Sequence, residues 1–196
     1  MRERRLMVVE NPNMLTLRAM GPADLDLVKE WLNEPHVAQW YLDGSTIEEE
    51  LEDLRQCVLG DQPTHPLVVA QDGRAIGWSQ WYLCGDYPDH AAGIEAQPGD
   101  IGLDYAIGDP MSTGRGLGTA LINTLILYIR GLHPGAGLIA DPDASNIASR
   151  MVLEKNGFRL IDERPVVSER TDATMAIYRL APEHATGRPS GRSRRG

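Results

Sequence analysis

The chain has 196 residues, 42 % hydrophobic and 24 % charged, the balance of a single globular domain. This excludes a wholly disordered chain, a collagen-like repeat and a disulfide miniprotein, and no apolar run of ~18 residues is there to cross a membrane. The net charge is −9, and with the +3 of residues 181–196 set apart, residues 1–180 carry −12, the reverse of the clustered Lys and Arg that phosphate contacts need in a nucleic-acid binder. The start is basic (Arg2, Arg4, Arg5), yet Leu6 to Met14 contains Glu10, two Asn and a Pro and makes no hydrophobic core of a signal peptide. Residues 1–13 read as an N-terminal extension. Cys57 and Cys84 are each alone in the sequence, which suits a reducing cytoplasm.

From Met14 to Ala19 apolar and polar residues alternate as in a strand. Pro22 to Asn33 follows with Leu25, Val28 and Leu32 at helical spacing. Thr46 and Glu49 form a capping box that opens a helix to about Leu59. Leu67–Ala70 and Ala75–Leu83 are expected as strands around a turn centred on Asp72-Gly73. Residues 84–100 read as one long loop, and loops of that length inside a domain are functional or disordered. Ile101–Ile107 is a further strand, Leu117–Arg130 a strongly apolar helix and Gly137–Asp141 a short buried strand. Ser145–Asn156 is a helix closed by Gly157, with Asp143 expected as its cap. Phe158–Glu163 and Thr174–Leu180 complete the sheet, and 181–196 is a basic, flexible tail. The order is β-α-α-β-β-β-α-β-α-β-β, an α/β chain with a mixed sheet and one βαβ crossover.

The informative segment joins strand 101–107 to the helix at Leu117 through Gly114, Gly116 and Gly118, three glycines within five residues. Glycines there let the backbone approach a ligand, and the free amides of a helix start face an anion. No Lys-Ser or Lys-Thr follows Gly118, so this is not a Walker loop, and the spacing is not the Gly-x-Gly-x-x-Gly of a dinucleotide site. The histidines His36, His65, His90, His133 and His184 have no ligand-like spacing, so no metal site is expected.

This strand, glycine loop and helix, with Asp141-Pro142-Asp143-Ala144-Ser145-Asn146 and Leu153-Glu154-Lys155-Asn156-Gly157-Phe158 beyond, resemble the GNAT superfamily of acyl-CoA-dependent N-acetyltransferases. The resemblance spans about 14 to 180 and implies a mixed, mostly antiparallel sheet with a splayed parallel pair and helices on both faces. It implies acetyl-CoA as cosubstrate, held by Tyr105, Ala106 and Ile107, by the loop Thr113, Gly114, Arg115, Gly116, Leu117, Gly118 and Thr119, and by Asn146. Within the superfamily, Glu30 to Tyr41, Gly102-Leu103-Asp104 and Asp141-Pro142 resemble the aminoglycoside 6′-N-acetyltransferases. That implies a cationic small-molecule amine as partner, with no nucleic acid or membrane, and a monomer or homodimer. Siderophore-type hydroxylysine N-acyltransferases share these motifs, and a non-catalytic acyl-CoA-binding module is a further alternative.

Two residues depart from the family pattern. Thr113 begins the loop where Gln or Arg is usual, and Leu153 stands where many relatives carry a tyrosine that protonates the departing thiolate. Leucine has no proton to give; Tyr105, Tyr128 and Ser149 are the candidates to replace it. Asp104 lies mid-strand among apolar neighbours, where a carboxylate is costly without a partner. It is expected to hold the acceptor ammonium and take its proton, while Asp141 positions the substrate. Trp40, Tyr41 and Asp43 are expected to wall the sugar site, helped by the acidic loop 86–100.

Overall fold

The structure is a computed structural model and describes residues 15–42, 44–165 and 173–183. Met14 and the extension before it, Asp43, and the tail from 184 lie outside the described residues. One seven-stranded sheet runs β1 (Leu15–Ala19), β2 (His65–Gln71), β3 (Arg74–Leu83), β4 (Ile101–Ile107), β5 (Leu138–Ala140), β7 (Thr174–Leu180), β6 (Arg159–Pro165). Every pairing is antiparallel except β4 with β5. The turn between β2 and β3 has Asp72 and Gly73 both at positive φ (49° and 81°), the combination that matches strand twist in a two-residue hairpin.

Alternation along the strands sends two sets of side chains to opposite faces. On one face, α5 (Leu117–Leu132) and α6 (Ile147–Lys155) cover Leu15, Leu17, Leu67, Ile76, Ile101 and Leu103. On the other, α1 (Leu25–Leu32), α2 (Pro35–Tyr41) and α3 (Ile47–Leu59) cover Val68, Trp78 and Ala106. No helix among the described residues is long and apolar enough to cross a membrane.

Two short helices are absent from the sequence-based order. The first is α2, where Pro35 at the first position presets the helical φ and holds Glu34 extended (ψ 127°). The second is α4 (Pro88–Gly93), again opened by a proline, which with a 3₁₀ turn at Cys84–Asp86 gives the segment 84–100 a structure of its own. Seven and six residues are too few for helical periodicity to register in a window of 11–18.

The feature that makes a site is the parting of β4 and β5. Their register holds only for Ile101↔Leu138 and Gly102↔Ile139. β5 stops at Ala140, because Pro142 has no amide to donate to a ladder and Asp141 before it is the last residue able to follow the strand. β4 continues to Ile107, so its second half borders a gap. The root of the gap is pinned from beneath: Asp100 is 1 % exposed and accepts from Arg179 Nε (2.8 Å) and Nη2 (2.7 Å) on β7. A paired buried charge of this kind fixes geometry, since removing either partner strands the other.

Candidate active site

A cleft of about 760 Å³ opens in this gap and brings together Asp104 from β4, Asp141 and Pro142 beyond β5, and Trp40 and Tyr41 from α2. On β4 the alternation aims Asp104 toward the α1–α3 face and Tyr105 toward α5 and α6. Gln80 is the register partner of Asp104 on β3, and its Nε2 donates to Asp104 Oδ2 at 3.0 Å. Burial raises the Asp104 carboxyl above the ordinary carboxylate range, opposed by the Gln80 hydrogen bond and by the nearby His90. Asp141 is pushed up to about 7, first by burial and then by the charge of Asp104. The structure therefore puts two carboxylates in one cleft, and the charge of Asp104 makes ionisation of Asp141 harder.

The third polar group of the cleft is His90, on α4. Its Nε2 lies 3.0 Å from the Tyr82 hydroxyl and 3.8 Å from Asp141 Oδ2. Tyr82 in turn lies flat on β4 because Gly102 has no side chain; a Cβ there would come within 2.2 Å of the ring. Sequence spacing gives no sign of His90, which meets its partners only through the fold. The expected acidic wall from residues 86–100 is not what the structure builds. Asp100 is consumed by Arg179 and Glu95 by Arg164, and His90 is the residue of this segment that lines the cleft.

Tyr41 packs on Trp78 with ring centroids 4.9 Å apart, and burial holds its hydroxyl protonated. Trp40 is 36 % exposed at the cleft rim, an apolar surface free to receive a ring. Asp43, the third member of that expected wall, is outside the described residues.

On the far side of β4 the glycine loop leads into α5. Asp109 accepts from Met111 N (3.1 Å) and Ser112 Oγ (2.9 Å), folding Pro110–Ser112 into a 3₁₀ turn before Thr113. Gly114 and Gly116 have φ of 69° and 78°, and Gly116 starts the helix without a side-chain cap. The amides of Leu117, Gly118 and Thr119 therefore begin α5 without helical acceptors. Thr113, Gly114 and Arg115 are exposed, whereas Leu117 is buried in the core. Gly118 has a packing duty: its Cβ would stand 3.3 Å from Val152 on α6. Ala106 is buried under α1–α3, and the Ile107 carbonyl is bonded to His36 Nε2 at 2.9 Å.

Asn146 caps α6, its Oδ1 accepting from Ser149 N at 3.0 Å; Asp143, expected in that role, instead accepts from Ser145 N at 2.7 Å. Asn146 and Ser149 both line the cleft. Two of the three candidate proton donors meet there: the Tyr105 hydroxyl is 2.7 Å from Ser149 Oγ, and burial pushes it up to about 12. Tyr128 packs instead against the α5 core, and Leu153 is fully buried one helical turn beyond Ser149. Among the described residues no group of three His, Cys, Asp or Glu could hold a metal ion.

Known proteins with this architecture are informative. The chain is 30 % identical over 156 residues to the aminoglycoside N(6′)-acetyltransferase type 1 of Klebsiella pneumoniae, covering 77 % of each chain. It is also 30 % identical over 171 residues to the lysine N-acyltransferase MbtK of Mycolicibacterium paratuberculosis, covering 84 % of this chain and 72 % of that one. Its fold matches the crystal structure of aminoglycoside acetyltransferase AAC(6′)-Ib in complex with coenzyme A and kanamycin with a TM-score of 0.71, at 27 % identity, over 85 % of this chain and 94 % of the other. Residues 21–166 match the acetyltransferase (GNAT) domain. With the parted β4–β5 pair and the glycine loop in place, the chain belongs to the GNAT family and is an acyl-CoA-dependent N-acetyltransferase that takes its acetyl group from acetyl-CoA.

Proposed function

We propose that the acceptor is a polycationic small-molecule amine, an aminoglycoside acetylated at its 6′-amine, and that this acetylation confers resistance. The observation that carries the reading is the pair Asp104 and Asp141 in one cleft beside the aromatic rim of Trp40 and Tyr41. Two carboxylates that resist ionising together are relieved by an incoming ammonium. The aromatic rim suits the apolar face of a sugar ring. Similarity to the Klebsiella pneumoniae enzyme supports the same acceptor.

In this reading Asp104, fixed by Gln80, holds the ammonium. Asp141, with its carboxyl near 7, is matched to accept a proton at neutral pH, so the pair shares the base role. The neutral amine then attacks the thioester carbonyl directly, and the electron pair of the broken C–S bond leaves on sulfur. Tyr105, protonated at neutral pH and bonded to Ser149, is the hydroxyl available to the departing thiolate in the absence of a tyrosine at 153. On the donor side, the exposed Thr113, Gly114 and Arg115 and the amides at the start of α5 fit a pyrophosphate.

The similarity to MbtK favours a second reading, acyl transfer to a lysine-type amine. The two differ in acceptor charge, and charge is measurable. An aminoglycoside held by an acidic cleft should show a KM that climbs steeply with added salt, because the field is screened beyond ~8 Å at physiological ionic strength. Kanamycin and lysine, each titrated from low to high salt with thiol release as the signal, give the comparison. Kanamycin should be the better acceptor with the steeper salt dependence. Preference for lysine, or for a long-chain acyl donor, supports the second reading.

A further inference from the structure

We propose that His36 is a positioning residue of the acceptor site: by donating a hydrogen bond to the last carbonyl of β4 it sets the orientation of α2 and, through α2, the aromatic rim of the cleft. What the rim touches rests on the acceptor proposed above; the tie itself does not.

The peptide joining Ile107 to Gly108 is a fixed point in the fold. Gly108 N donates to the Ile76 carbonyl on β3 at 2.9 Å. In a planar trans peptide the carbonyl points the opposite way, so the Ile107 carbonyl faces the side of β4 that β5 has left open. β5 ends at Ala140 and offers it no partner. His36 Nε2 stands 2.9 Å from it, and because a carbonyl only accepts, the ring nitrogen donates whether the imidazole is neutral or charged. Trp31 of α1 lies over the same peptide, where a Cβ on Gly108 would come within 2.2 Å of the indole.

α2 needs such a tie. It has seven residues, under two turns, too few to hold a helix without tertiary contacts. Val37 and Tyr41 pack into the core beneath α1–α3. Apolar contacts have no direction, so they keep α2 on the sheet without fixing its roll about its own axis. A hydrogen bond is directional. His36 is half-buried and lies one turn before Gln39, Trp40 and Tyr41, which line the cleft. His36 and Trp40 are four residues apart and share a helical face, so the roll set at His36 is the roll of Trp40. The anchoring carbonyl belongs to the strand that carries Asp104 three residues earlier. The tie thus fixes the aromatic rim relative to that carboxylate.

His36→Leu removes the donor, whereas His36→Gln keeps an N–H at similar reach. Trp31, Trp78 and Trp81 are at most 6 % exposed and Trp40 is 36 % exposed, so acrylamide quenching of the folded protein reads Trp40. His36→Leu should raise the quenching constant about twofold as the freed helix opens, with no acceptor present. Its KM for kanamycin should rise about tenfold, the scale of one lost hydrogen bond, with that for acetyl-CoA unchanged. His36→Gln should restore both readouts. In a Trp40→Ala background the effect of His36→Leu on KM should largely vanish, because a merely structural role would add to the loss of Trp40. His36→Asn, polar but too short to reach the carbonyl, should match His36→Leu and replaces it if the leucine variant does not fold. Unchanged quenching, no rescue by His36→Gln, or additive KM effects would each overturn the assignment. If quenching rises while the wild type leaves kanamycin unmodified, the tie stands and the proposed acceptor fails.

Discussion

Asp104→Asn should lower kcat/KM for the amine by about 10²–10⁴-fold, the usual worth of a general base, while acetyl-CoA binding measured by calorimetry is unchanged. The substitution preserves shape and a hydrogen-bonding group opposite Gln80, so the fold should survive. What it removes is a negative charge at the place where β4 leaves β5. An ammonium is mostly protonated at neutral pH, and without that charge it is neither held nor deprotonated. The donor contacts proposed above lie across β4, on the glycine loop and the start of α5, and do not use the carboxylate. Near-normal turnover by Asp104→Asn would remove it from the mechanism, and loss of acetyl-CoA binding would instead make it a structural residue.

Asp141→Asn should be inactive or nearly so and yet more stable. The carboxyl titrates near 7 in the folded protein against an ordinary 3.8. Its folded value is raised, so from about pH 4 to 7 the folded state holds a proton that the unfolded chain has released. Stability therefore falls as pH rises through that window, and the full cost persists above 7. At 1.36 kcal/mol per pH unit this is on the order of 4 kcal/mol. Removing the charge should raise Tm by several degrees at pH 8, with the gain shrinking toward pH 4. The same group should place the acid limb of wild-type kcat/KM near pH 7, and the limb should move lower in Asp141→Asn as residual activity falls to Asp104 alone. A variant that is less stable at pH 8, or an acid limb unmoved, would mean that Asp141 is satisfied by partners and is not held as a base. A site that costs stability in this manner is the usual mark of selection for chemistry over fold.

Much of the fold is legible in the sequence because its long elements carry strong periodicity. Leu117–Leu132 and the Asp72-Gly73 hairpin are readable from local chemistry alone. The helices at Pro35–Tyr41 and Pro88–Gly93 are not, since each is under two turns long and held by tertiary contacts. The placement of β7 between β5 and β6 is equally invisible, because strand order is a long-range property. At the site, Asp104 stands out as a carboxylate in an apolar strand, and Asp141 by its position before a proline. The effect of Asp104 on Asp141 does not, for it depends on β4 and β5 being neighbours. An ordinary carboxylate is a poor base for an ammonium, and it is burial first and the charge of Asp104 second that raise Asp141 to about 7. His90 was unreadable for the same reason. Gly118 carries a packing role that its motif does not show: its missing side chain leaves room for Val152.

The most direct test is to incubate the purified protein with acetyl-CoA and kanamycin at pH 8 and to map the product by NMR. The proposed function predicts stoichiometric thiol release and one new amide, on the 6′-nitrogen of kanamycin. Thiol release that ignores kanamycin, or an acetyl group on oxygen or on another nitrogen, would contradict it.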